Sequence, residues 1–257
     1  MIAVVELAPR FHLNGKCALI TGASSGFGAH FAHLLSAAGA EVILAARRAD
    51  KLSELQQALQ ARGRKASAIS MDVSSRESVS AGFDQIGACD IVINNAGITV
   101  TSALLDQTEA DWDSVIDTNL KGCWLVATEA ARRLRAAQKP GAIVNVASIL
   151  GERVAAGVAP YAISKAAVIQ ATKVMALELA RYQIRVNALL PGYVVTDLNR
   201  DFLQSEAGEK LRSRIPTRRF GEMTDLDGPL LLLCSDAGTG MTGSCLTVDH
   251  GHLLSSL

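Results

Sequence analysis

Tyr161 and Lys165 stand four residues apart in the stretch YAISK. On a helix that spacing puts both side chains on one face, about one turn apart. A free phenol titrates near pH ~10, a poor match for proton transfer at neutral pH. An ammonium beside it favours the phenolate and is expected to lower that pKa. A phenol tuned this way can give a proton to a carbonyl oxygen or take one from an alcohol. Ser148 lies thirteen residues earlier, after the apolar run AIVNVA. At the carboxyl edge of a parallel sheet its hydroxyl would meet the same oxygen. Taken singly, each has a plainer reading: a Tyr–Lys pair on a helix surface, and a hydroxyl that ends a strand.

A second stretch, ALITGASSGFGA over 18–29, joins an apolar run to a helical pattern through three glycines. A strand, a glycine-rich turn and a helix offer unpaired N–H groups and a positive dipole end to a pyrophosphate. Gly22 would allow the tight turn. Gly26 would let the backbone approach a phosphate, and Gly28 would let helix and strand pack closely. Ser24 and Ser25 add hydroxyl donors. The spacing is G-x-x-x-G-x-G, not G-x-G-x-x-G, so a plain β-to-α connection is the alternative. Choice of dinucleotide turns on the end of the next strand, where an acidic residue would bind a ribose 2′-hydroxyl. That strand, EVILAA, ends at Ala46 and runs into Arg47 and Arg48. Glu41 is at its other end, and Asp50 reads as a cap of the next helix. A guanidinium there can grip a 2′-phosphate bidentately. NADP(H) is therefore the expected cofactor, with Arg47 as main selector and NAD(H) as the alternative.

These groups need a scaffold. Short apolar runs at 17–21, 41–45, 66–71, 90–94, 142–147, 184–189 and 244–248 read as strands. Helical patterns over 26–38, 50–61, 76–86, 109–137, 161–181 and 224–233 alternate with them. Continuous apolar strands without alternation imply a parallel sheet covered on both faces. Repeated β-α-β order implies an α/β, doubly wound Rossmann fold of about seven strands. No linker or repeat divides residues 1–257, so one domain is expected. The segment over 198–216 is helical in character and reads as a movable lid on the substrate. Its Arg200, Lys210, Arg212 and Arg214 would attract an anionic substrate, or simply form a solvated face.

Lys+Arg and Asp+Glu both number 25, and 49% of residues are hydrophobic. A neutral chain without basic runs argues against nucleic acid or an anionic membrane surface as partner. No stretch is apolar for long enough to span a bilayer. The five cysteines form no C-x-x-C pair, and the early Glu6 argues against a signal peptide; both point to a cytoplasmic protein. No cluster has metal-ligand spacing, so no metal is expected. The patterns over 109–137 and 161–181 are too apolar for solvent. They predict a homodimer through a four-helix bundle.

The motifs in order resemble the classical short-chain dehydrogenase/reductase family: TGASSGFG, NNAG (94–97), NVAS ending at Ser148, YAISK, LLPGYVVTDL (189–198) and GSCLTVDHG (243–251). The resemblance runs from LNGKCALITG to the C-terminus. It implies that Asn119, Ser148, Tyr161 and Lys165 form a catalytic tetrad. Asn119 would kink its helix around a water leading to Lys165, and Lys165 would hold the nicotinamide ribose. It further implies cofactor contacts from Gly22, Ser24, Ser25, Gly26, Phe27, Gly28, Asp72, Val73, Asn95, Ala96, Gly97, Pro191, Gly192, Val194 and Thr196, with Tyr161 and Lys165. Asp72 has the alternative of a helix cap, and Asn94 reads as a brace. The implied activity is hydride transfer between nicotinamide and a secondary alcohol or ketone. Carbonyl reduction is favoured, on 3-oxoacyl thioesters or small ketones. An NAD-dependent alcohol or hydroxysteroid dehydrogenase, or a non-catalytic dinucleotide sensor, is the alternative. The resemblance also implies that the dimer doubles to a homotetramer through the last strand and DHGHLL. His250 replaces a glycine of the family's V-D-G-G, which predicts strain if that position needs a positive φ. His250 and His252 read as surface residues near a subunit contact.

Overall fold

Seven apolar runs become the seven strands of one sheet in the computed structural model, which describes residues 8–196 and 199–255. They are β1 (Cys17–Thr21), β2 (Glu41–Ala46), β3 (Ala66–Ser70), β4 (Ile91–Asn94), β5 (Gly141–Val146), β6 (Ile184–Pro191) and β7 (Cys245–Val248). The spatial order is 3-2-1-4-5-6-7, and every neighbouring pair is parallel. This is the expected doubly wound α/β fold. Strands β4, β5 and β6 are buried almost throughout because helices cover both faces, which is why their sequences do not alternate. Adjacent residues of β1 feed opposite layers. Ile20 packs with Phe31 and Leu35 of α1 (Gly26–Ala37), Leu52 of α2 (Ala49–Gln60) and Leu230. Leu19 packs with Phe83 of α3 (Arg76–Ile86) and with Val126 and Leu134 across the sheet.

The long pattern over 109–137 is not one α-helix. It forms α4 (Glu109–Ile116), a π-helical turn (Asp117–Lys121) and α5 (Gly122–Ala136). A π-turn inserts a residue into the helical ladder and re-aims the side chains around it, here Asn119. The helix carrying Tyr161, α6 (Ala159–Leu179), starts before the tyrosine, with Pro160 in its first turn where a missing N–H costs nothing. The lid segment folds as α7 (Arg200–Leu203) and α8 (Glu206–Arg212), the latter capped by Ser205. Its expected first residue, Leu198, lies outside the described residues, as do 1–7 of the N-terminal stretch. The pattern over 224–233 splits into a 3₁₀ turn (Met223–Leu226) and α9 (Asp227–Cys234), because Pro229 has no N–H to continue a helix from upstream.

Strand order reverses between β1 and β4. A crevice therefore opens at their carboxyl ends, where the loops leaving the two strands turn to opposite sides. The glycine turn, NNAG and Ser148 all follow strands that end at this edge.

Candidate active site

Backbone geometry shapes the β1 side of the crevice. Gly22 has φ 66°, and a Cβ there would meet the Ala96 Cα at 2.8 Å. A Cβ on Gly28 would collide with the Gly22 carbonyl oxygen and the Asn95 amide. At Gly26, φ 55°, nothing lies within 4 Å of the same position, so the turn is open at the mouth of α1. The Thr21 hydroxyl locks this loop to the next one, accepting from the N–H of Asn95 (3.0 Å) and Ala96 (3.1 Å). Asn95 Nδ2 donates to the carbonyls of Thr21 (2.9 Å) and Gly22 (3.3 Å), bracing the turn from beneath. Ser25 precedes α1 in extended conformation and makes no side-chain cap, which leaves the first helical amides available to an anion. Arg48 Nη2 donates to Ser24 Oγ (2.9 Å) and Ser25 Oγ (3.5 Å), so a guanidinium overhangs the turn. Open backbone, free amides and a cation with no carboxylate partner among the described residues fit a dinucleotide's phosphates.

Other predicted cofactor residues divide. Gly97 faces the catalytic group: a Cβ on it would stand 3.3 Å from Asn119 Oδ1 and 3.6 Å from Lys165 Nζ. Pro191, Gly192, Val194 and Thr196 follow one another along the end of β6 and its exit loop. Gly192 donates to the Val248 carbonyl (2.9 Å), Val194 bridges to Gly221, and the Thr196 N–H donates to Asn199 Oδ1. Phe27 stacks on Phe31, centroids 5.9 Å apart, so its ring belongs to the packing of α1. Val73 packs on Gly122 at the start of α5. Asp72 accepts from the N–H and hydroxyl of Ser74, which together hold its carboxyl below the usual range, with Arg47 adding a smaller pull. Ser75, not Asp72, caps α3. Asn94 is the expected brace, donating to Asn145 Oδ1 (2.9 Å) and the Cys123 carbonyl.

On the β5 side the four predicted tetrad residues converge. Ser148 ends the loop after β5 in extended conformation and accepts from the Leu150 N–H (3.1 Å). Asn119 is buried in the π-turn. Its Nδ2 donates to the Ile98 carbonyl (2.9 Å) and Ser164 Oγ (3.1 Å), and its Oδ1 accepts from the Ile98 N–H (2.8 Å). Buried Lys165 donates to the Val146 carbonyl (2.8 Å), and its Nζ is 5.5 Å from the centre of the Tyr161 ring.

Electrostatics here run against the expectation that Lys165 lowers the phenol pKa. Burial pushes Tyr161 up, a hydrogen bond from Ser148 opposes it, and Tyr193 adds a further raising influence. Burial also brings the Lys165 ammonium down to about 8. Desolvation is the leading influence on both groups. At neutral pH the phenol holds its proton.

The histidine expectations need correction in part. His250 does adopt φ 56°, the left-handed region that replacement of a glycine predicted, and its Nε2 lies 3.0 Å from Asp225 Oδ2. His252, read as a surface residue, is buried at 3% exposure, with Nδ1 lacking a hydrogen-bond partner among the described residues. Its ring packs 5.7 Å from Tyr193. Burial and nearby Arg153 hold its pKa below the usual histidine range. The short turn His252–Leu254 lies against Tyr193 and Arg153, which removes the ring from water. Sequence reading passed over Tyr193 and Arg153. Position gave one signal, since Tyr193 directly follows Pro191–Gly192; Arg153 lies in a loop that reads as merely small and apolar.

Known proteins resemble this chain in sequence and fold. The family model described as enoyl-(acyl carrier protein) reductase matches residues 22–252. Gluconate 5-dehydrogenase of Gluconobacter oxydans is 37% identical over 246 residues, covering 94% of this chain and 96% of that protein. The 3-oxoacyl-[acyl-carrier-protein] reductase of Staphylococcus epidermidis is 37% identical over 242 residues, covering 92% and 98%. A crystal structure of gluconate 5-dehydrogenase from Burkholderia cenocepacia, in complex with NADP and tartrate, superposes with a TM-score of 0.91 at 35% identity, covering 97% of this chain and 99% of that one. With a glycine turn at the switch point, Tyr161 and Lys165 on one helix and this likeness along nearly its whole length, the chain belongs to the short-chain dehydrogenase/reductase family of oxidoreductases, which act on alcohol and ketone groups with NAD(P).

Proposed function

We propose that the protein is an NADP(H)-dependent carbonyl reductase for small ketones. The observation that carries the reading is the arrangement at Tyr161: a buried phenol bonded to Ser148, with Lys165 Nζ 5.5 Å from the centre of its ring. A protonated phenol is ready to donate to a carbonyl oxygen, the step that completes reduction. Ser148 fixes that oxygen, and Lys165, anchored on the Val146 carbonyl, presents its Nζ beside Gly97 to ribose hydroxyls. When bound, the nicotinamide supplies the hydride. Asn119 spends both amide hydrogens on Ile98 and Ser164, so it holds the β4 loop against α6.

Preference for the phosphorylated cofactor is supported by Arg48 over Ser24 and Ser25, and by the NADP in the Burkholderia relative. Arg48 bonds to both serines of the turn, whereas Arg47 exerts only a minor pull on Asp72, so Arg48 replaces Arg47 as the selector in this reading. A 3-oxoacyl thioester is the weaker substrate reading. Of the lid cations that would attract one, Lys210 pairs with Glu206 (2.7 Å) and Arg212 with Glu209 on the same helix. Purified protein, followed by NADPH absorbance over a panel of ketones and 3-oxoacyl thioesters and again with NADH, tests the reading. Higher kcat/KM with NADH, or turnover of thioesters alone, would overturn it.

Assembly as a homodimer follows from the outer face of α5 and α6. Trp124, Val174 and Leu177 are exposed there, around a groove also lined by Thr128, Ala167 and Ala171. A second copy of this face would cover it as a four-helix bundle. Strand β7, at the sheet edge, is the natural seam for a tetramer. A monomer by light scattering at micromolar concentration would refute the assembly. Function in the cytoplasm is part of the same reading and rests on the unpaired cysteines.

A further inference from the structure

Where the loop after Ser148 meets the C-terminal turn, a cation has no carboxylate partner among the described residues. Arg153, half-buried, follows the short helix that Ser148 opens. Its Nη1 donates to the His252 carbonyl (2.6 Å) and Ser255 Oγ (2.8 Å). Both bonds use one nitrogen, so the rest of the guanidinium fork has no hydrogen-bond or carboxylate partner among the described residues. The nearby carboxylate, Asp249, spends its two oxygens on the N–H groups of Gly251 and Leu253. Tyr193 lies within electrostatic reach of both Arg153 and Tyr161. Its ring packs on His252, and its hydroxyl has no hydrogen-bond partner among the described residues. Arg214, at the end of the lid segment, adds a second positive influence on His252 and, unlike Lys210 and Arg212, is paired with no glutamate among the described residues.

A half-buried guanidinium held by one nitrogen presents the remaining donors in the fork that suits a carboxylate. We infer that Arg153, with the Tyr193 hydroxyl beside it, is a specificity-determining site for a carboxylate carried by the substrate within a few bonds of the reacting carbon. The substrate class is then keto and hydroxy acids rather than neutral ketones. This rests on the reductase reading proposed above and narrows its substrate.

Paired probes isolate the charge: acetoacetate against methyl acetoacetate, and levulinate against methyl levulinate. Wild type should favour one acid over its ester by about ten- to hundred-fold in kcat/KM, the size of a charge-assisted hydrogen bond away from bulk water. Arg153→Met should bring that ratio close to one, and Arg153→Lys should restore part of it. Because Arg153 also ties down the C-terminal turn, Ser255→Ala serves as the control that loosens the tie and keeps the charge. An acid-to-ester ratio near or below one in wild type overturns the inference. So does equal loss of the ratio in Ser255→Ala and Arg153→Met, which would make the arginine a brace. If no ketone is reduced with NADPH, the function above fails, and a thermal shift still decides this site. Malonate should raise the melting temperature of wild type and not of Arg153→Met; no shift in wild type refutes it.

Discussion

On the β1 side of the crevice the surface is made by backbone, and on the β5 side by buried side chains. The glycine turn works because nothing can be added to it: Gly22 and Gly28 stand where a single methyl group would collide with the neighbouring loop. Among the described residues no ionisable group is buried at that turn. Around Tyr161, by contrast, a phenol and an ammonium have both been taken out of water, and each has been driven toward its neutral form. The first region is specified by shape, and the second by desolvation. Substitutions in the first should therefore act through fit and show little pH dependence. Substitutions in the second should act through proton affinity.

The largest expected effect breaks the second region alone. Tyr161→Phe removes the transferred proton and little volume. It should lower kcat by about 10²–10⁴ while dinucleotide binding persists. Near-normal turnover would remove Tyr161 from the chemistry. A pH series sharpens the same side. Lys165 titrates at about 8 in the fold, against 10.5 for the ordinary side chain. Between those values the unfolded chain binds the extra proton, so stability attributable to this group rises with pH across that window. Below about 8 the charged lysine costs on the order of 3 kcal/mol, and above about 10.5 the cost is gone. The difference in unfolding free energy, wild type minus Lys165→Met, should become more favourable to wild type from pH 8 to 10.5. A flat difference would mean that the lysine is not desolvated.

Shape is probed by Gly22→Ala. A left-handed backbone costs a non-glycine residue about 1–2 kcal/mol, and the added Cβ presses on the Ala96 Cα. Cofactor affinity should fall along with stability, equally at pH 7 and pH 9. The matched substitution at Gly26, open on all sides but also at φ 55°, should cost the backbone term and weaken dinucleotide binding without the clash. Equal thermal destabilisation at the two positions would show that the loop–loop contact is not what fixes the turn.

The same division explains what could be read in the sequence. Strands, their order of appearance, the glycine turn and the Tyr–Lys spacing are local patterns, and all are present where the residues put them. The break at Asn119 was expected only through the family resemblance, because the sequence around it, DTNLK, carries an ordinary helical period; the turn at 117–121 is held by tertiary contacts, the Asn119 bonds to the Ile98 backbone and to Ser164. The proton affinity of Tyr161 was misjudged for a related reason. Spacing shows that an ammonium is near, whereas burial of both partners depends on the whole sheet edge. His252 reads as a surface residue because a terminal HLLSS stretch gives no periodic signal, and only the fold brings it under Tyr193.

The smallest effect lies where the two kinds of region meet, at the exposed arginines after β2. Arg47 and Arg48 are adjacent and chemically identical, so composition cannot separate them. Geometry does: Arg48 reaches back over Ser24 and Ser25, while Arg47 adds only a minor pull on Asp72. A 2′-phosphate bound over the turn would take Arg48 as its fork and the serine hydroxyls as its donors. Because the guanidinium is open to solvent, its contribution is discounted to about 1 kcal/mol, a few-fold to tenfold in KM. Arg48→Ala should raise the KM for NADPH by that factor and leave the KM for NADH nearly unchanged. Arg47→Ala should do less to both. Salt should erode the preference in wild type, since an exposed charge pair is screened within about 10 Å at 0.1 M. If Arg47→Ala proves the more damaging substitution for NADPH, the phosphate lies toward Asp72 and the assignment of the selector reverts to the first arginine.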